Sequence, residues 1–124
     1  MSVLGIITEE LNSIGVPYEY IRWTSAVQYP YFVGELSEMT IVTEDGAKEY
    51  TLLLTGTTRE SWLELEQFRA KIEKHFPPVY GLRKTTDTGA VVIMYENSFP
   101  VPTGEADLKR IQINIQIKEW KGVM

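Results

Sequence analysis

Ile111, Ile113, Ile115 and Ile117 alternate with Gln112, Asn114 and Gln116 near the end of the chain. Successive strand side chains point to opposite sheet faces, so this period of two defines one apolar face and one neutral polar face. The pattern predicts a strand over residues 107–119. Its alternation runs from Leu108 to Trp120, longer than the usual ~5–6 residues and long enough to reach beyond its own subunit. An apolar sheet face must be covered by another layer, and two segments of helical period can supply one.

The first is Val3, Leu4, Ile7, Leu11 and Ile14, closed by Gly15 at a C-cap position with Pro17 beyond. It predicts a helix over 2–14. The second is Trp62, Leu65, Phe68, Ile72 and Phe76, stopped by Pro77 and Pro78. Thr57 through Glu60 reads as its capping box, so the predicted helix covers 58–76.

Two hairpins complete the set. Asp45-Gly46 suits a two-residue turn. That turn would set Ile41 opposite Tyr50, Met39 opposite Leu52 and Ser37 opposite Leu54, with Thr40 against Thr51 and Val42 against Glu49. This register gathers the apolar residues on one face. A second hairpin spans 79–96, its turn within Thr86-Asp87-Thr88-Gly89, followed by a loop over 97–106 holding Pro100, Pro102 and Gly104. Any strand near Pro30 should start there or lie at an edge. The expected fold is a single α+β domain over 1–124: a mostly antiparallel β-sheet with two α-helices packed on one face.

At 124 residues the chain can bury a core without disulfides or metal. A net charge of -5 argues against a nucleic-acid binder, which needs clustered Lys and Arg, and disfavours anionic membranes. There is no cysteine, which removes thiolate nucleophiles and Cys-ligated zinc and fits a reducing interior. The N-terminal residues lack the layout of a signal peptide, and no apolar run nears the ~18 residues of a membrane span. The expected location is therefore the cytoplasm.

Chemistry finds little purchase. His75 is the single histidine and falls in the last helical turn, where a cation suits the dipole. The carboxylates form no spaced acid–base pair. Gly81, Gly89 and Gly104 form no phosphate loop, and no serine sits in a nucleophile elbow. The expectation is no catalysis, no cofactor and no metal.

Two features exceed background. Residues 18–33 hold Tyr18, Tyr20, Trp23, Tyr29, Tyr31 and Phe32, a density that suits either core packing or an interface. The neutral face of Gln112, Asn114 and Gln116 either faces water or packs on another subunit while keeping its hydrogen bonds. Trp23, Tyr29, Tyr31, Phe32, Gln112, Asn114 and Gln116 are thus the candidate interface residues. Glu35, Glu38, Glu44 and Asp45 form a candidate acidic set near the first hairpin.

The succession of an N-terminal helix, the segment Tyr29-Pro-Tyr-Phe-Val-Gly-Glu35, a hairpin, a longer helix, the Leu82-Arg-Lys-x-x-Asp-x-Gly89 turn and a final amphipathic strand resembles the tail terminator and tail completion proteins of long-tailed bacteriophages and prophages. The resemblance covers most of the chain as element order. It implies a ring homo-oligomer, such as a hexamer, that caps the tail tube and joins it to the head. Its partners would be tail-tube and head–tail connector proteins, in the bacterial cytoplasm during assembly and then in the virion. DNA would pass the lumen without specific binding, with the acidic set near that lumen. The alternative is a small acidic monomeric inhibitor or immunity-type protein that binds a basic partner.

Overall fold

The computed structural model describes residues 2–38 and 46–122. The elements run α1 (Val3–Ser13), β1 (Tyr18–Tyr20), β2 (Tyr31–Glu38), β3 (Lys48–Thr58), α2 (Trp62–His75), β4 (Leu82–Thr86), β5 (Gly89–Val101) and β6 (Lys109–Lys121). The strands form one sheet in the order β1-β2-β3-β6-β5-β4. The β1–β2 pair is parallel and every other neighbouring pair antiparallel. The chain is thus α+β with a mostly antiparallel sheet.

The isoleucine strand occupies an interior place. Ile113, Ile115 and Ile117 of β6 lie opposite Leu54, Leu52 and Tyr50 of β3, all on one face. These residues and Phe32, Val91 and Ile93 join Ile6, Ile7 and Leu11 of α1 and Leu65 and Ile72 of α2 in one buried cluster. Leu4 and Phe68, expected in the core, are half-buried against it. Two glycines make room for rings. A side chain on Gly56 would lie 2.3 Å from the Phe32 ring, and one on Gly34 would lie 2.5 Å from the Tyr18 ring.

The first hairpin differs from its expected register. Ser37 faces Thr51, not Leu54, while Leu36 faces Leu52 and Gly34 faces Leu54. The shift is by an odd number of residues, so it moves Phe32, Gly34 and Leu36 to the apolar side. The register described over Tyr31–Glu38 is the one that buries Phe32 in the core. Met39, Thr40, Ile41 and Val42, and Asp45 of the expected turn, lie outside the described residues. The burial expected for Tyr50, Leu52 and Leu54 does hold.

The second helix starts later than expected. Thr57 and Thr58 belong to β3, opposite Arg110 and Lys109 of β6, so ladder pairing claims the residues proposed as a capping box. Ser61 is the N-cap, its side chain accepting from the Glu64 N–H. The Thr58 hydroxyl donates to the Glu64 carboxylate at 2.7 Å. Trp62 is therefore at the first helical position and 47% exposed, outside the core stripe.

The second hairpin turns at Asp87-Thr88, within the expected segment, because Thr86 pairs with Gly89. Residues 97–101 are strand rather than loop. β5 bulges between Tyr95 and Asn97 and continues along β6 to Val101. Pro100 is tolerated because β4 pairs only as far as Ile93. Beyond that point β5 is an edge, where a missing N–H breaks no ladder bond.

Candidate assembly surface

Opposite the isoleucines, the sheet presents a face of neutral polar groups. The Thr51 and Thr55 hydroxyls donate across strands to the Gln116 and Gln112 side-chain oxygens at 3.2 and 3.0 Å. The Gln112 amide donates to the Asn114 oxygen at 3.2 Å, and the Asn114 amide to the Asn97 oxygen at 2.8 Å. All three candidate amides are half-buried. Hydrogen bonds already made within the sheet reduce the number of donors that covering this face would strand. Phe99, on the same face opposite Gln112, is 48% exposed.

Beside this face the aromatic segment is an ordered loop over residues 21–30. Trp23 lies 5.3 Å from Tyr31 between ring centres, and Tyr29 lies 5.9 Å from Tyr31. The Trp23 indole N–H donates to the Ala26 carbonyl at 3.3 Å. Glu19 braces the loop start: its carboxylate accepts from the Thr24 N–H at 3.0 Å, the Thr24 hydroxyl at 2.6 Å and the Ser25 N–H at 3.3 Å. Those bonds, Thr24 first, hold the Glu19 carboxyl down to about 2. Arg59 braces its end, donating to the Tyr29 hydroxyl at 3.2 Å and to Asp107 at 2.7 Å. The loop holds Ile21 and Val27 out, each 58% exposed.

A depression of about 320 Å³ joins loop and sheet, lined in part by Ile21, Tyr31, Val33, Glu35, Leu53 and Arg110. Arg110 donates to the Thr57 hydroxyl there at 3.3 Å.

The structure gathers Trp23, Tyr29 and Tyr31 in one cluster and Gln112, Asn114 and Gln116 on the adjoining face. Phe32 does not join them. It is fully buried and packs edge-on against Phe68 at 5.5 Å, because strand alternation turns it away from Tyr31. The acidic set is not one patch either. Glu35 is exposed on the amide side, whereas Glu38 lies on the other side of β2 and pairs with Lys48 at 2.5 Å. Glu44 and Asp45 lie outside the described residues.

Sequence reasoning missed a polar bridge between α1, α2 and β4. Glu10 of α1 meets His75 of α2 at 2.8 Å and Lys84 of β4 at 3.1 Å. Burial pushes the Glu10 carboxyl up, but the hydrogen bonds from His75 and Lys84 outweigh it and hold the group below its ordinary value. Alternation along β4 sends Lys84 inward, and nothing local links it to residues so distant in sequence. Among the described residues no cluster of three or more His, Cys, Asp or Glu could hold a metal ion. No described helix is long and apolar enough to cross a membrane.

No protein-family model and no curated protein matches the chain. Nine solved chains are similar to it. One aligns over 94% of this chain and 89% of its own, with a TM-score of 0.67 and 12% sequence identity. At that identity the likeness is one of fold.

Proposed function

We propose that this chain is a structural assembly protein, a phage or prophage tail terminator or tail completion protein that forms a ring at the head-proximal end of the tail. One observation carries the reading: a half-buried sheet face of internally paired amides adjoins a braced loop that displays apolar side chains. A preorganised surface of this kind loses little entropy when covered. In this reading both helices cover the isoleucine face and the amide face stays open for a second subunit. The element order in the sequence supports the phage assignment. Tail-tube and connector proteins are then the partners, and the virion is the final location. The net charge of -5 suits a lumen that lets DNA pass without gripping it.

The second reading, an acidic inhibitor of a basic protein, draws on the same charge. Native mass and electron microscopy with and without tail tubes separate the two. Rings, and tubes of regulated length, are expected. A chain that stays monomeric in both conditions and leaves tube length unregulated overturns the assembly reading and favours the inhibitor.

A further inference from the structure

We infer that two margins of the open sheet face, one around Glu35 on β2 and one around Arg83 on β4, are the two halves of a single contact between copies of this chain. The inference rests on the assembly reading and names the surfaces that carry it. Several charged side chains of the fold are paired at home: Lys48 with Glu38, Arg69 with Glu66 and Glu73, Lys84 with Glu10 and Lys118 with Glu49. Glu35 and Arg83 are both exposed and have no ion-pair or hydrogen-bond partner among the described residues.

Register puts the two on the same side of the sheet. Glu35 faces Leu53 of β3, and Leu53 faces Asn114 of β6. Arg83 faces Val92 of β5, and Val92 faces Lys118 of β6. Asn114 and Lys118 share the face away from the isoleucines. Four strand spacings separate β2 from β4, roughly 19 Å in a flat sheet, so the two charges cannot meet within one chain.

Each charge also borders apolar surface. Glu35 rims the depression walled by Ile21, Tyr31, Val33 and Leu53. Arg83 rims a shallow hollow walled by Ala90, Val92 and Trp120. That hollow has Arg83 and Lys84 as its charged residues and no carboxylate, whereas Glu35 shares its depression with Arg110, which donates to Thr57. The complementarity is therefore between the unpaired Glu35 carboxylate of one margin and the unpaired Arg83 of the other, both beside apolar surface. Aromatic and aliphatic contact with a charged rim is the anatomy of a specific interface. Opposite charges at matched rims fix its register. A contact between two different patches also closes into a ring when the rotation permits. The amides between the margins are largely paired with one another and with Thr51, Thr55 and Asn97, which leaves the margins to carry the specificity.

The test is charge reversal and its rescue. Glu35→Arg and Arg83→Glu are made singly and together, and native mass and sedimentation are measured over a concentration series. The wild-type chain is expected to assemble. Each single reversal sets like charges together and should raise the half-assembly concentration at least about tenfold, while the double reversal restores assembly at the wild-type mass. Melting curves check that the exposed substitutions leave the fold intact. Should either reversal lower the melt, Glu35→Gln and Arg83→Gln carry the same test: wild-type assembly weakens with salt and the neutralised protein's does not. Single reversals without effect, or a double reversal no better than the singles, overturn the inference while a wild-type assembly leaves the structural reading standing. A wild-type chain that is monomeric throughout, tail tubes included, overturns both.

Discussion

Gly56 shows how strictly single residues are specified here. It sits opposite Phe32 in the β2–β3 ladder with the ring laid over its backbone. Gly56→Ala places a methyl group inside that ring's space and should destabilise the fold by roughly 1–3 kcal/mol in urea unfolding, as overpacking does. The opposite defect, Leu52→Ala at a fully buried site, should cost about 2–5 kcal/mol by leaving a cavity. Glu10 gives a pH signature. Its folded carboxyl titrates below the ordinary 4.5, so the unfolded chain takes up a proton first as pH falls. The stabilisation is complete above the unfolded value and is lost as pH drops through the folded one. The stability gap between wild type and Glu10→Gln, measured by denaturant unfolding at several acid pH values, should therefore close progressively as pH falls below about 4.5.

Elements begin and end where tertiary pairing allows. The capping sequence of α2 was legible in kind but not in place. Thr57 and Glu60 have the right spacing, yet Ser61 with Glu64 repeats that spacing four residues on, and β3 needs Thr57 and Thr58 for its ladder with β6. The assignment has a simple check. Ser61→Ala should lower stability by about 0.5–2 kcal/mol through loss of the cap, visible as a reduced urea midpoint with an unchanged slope. The same logic explains β5, where Pro100 suggested a loop. Proline excludes a central ladder position, and only the topology reveals that this half of β5 is an edge.

Across the whole molecule, the loop over 21–30 is held from two directions, by Glu19 at its start and by Arg59 at its end. Arg59 also pairs with Asp107 and Glu105, linking that loop to the segment before β6. These contacts are solvent-exposed, and exposed ion pairs contribute little to global stability. Arg59→Ala should leave the melting temperature almost unchanged while hydrogen exchange within 21–30 accelerates. If the loop forms part of an assembly contact, the same variant should weaken self-association as well. Metal analysis of the purified protein should find no stoichiometric zinc, since no described cluster supplies ligands.

What the sequence determined by itself is what repeats at short range. The isoleucine alternation placed β6 and both its faces, helical spacing placed α1 to within a residue at each end, and the Thr86–Gly89 segment placed the second turn. Each is a local periodicity or backbone preference, readable without knowing any neighbour. The tertiary structure decided everything that depends on competition between neighbours. It set the register of β2 on β3, the one that buries Phe32 against Phe68 and Gly56. It sent Phe32 into the core and left Tyr31 at the surface, although composition groups them together. It also joined Glu10, His75 and Lys84, and separated Glu35 from Glu38 by turning alternate side chains of one strand to opposite faces. The physical reason is the same in each case: a strand's side-chain direction reverses at every residue, so an odd shift in pairing exchanges inside for outside, and only the packed core selects which shift is made.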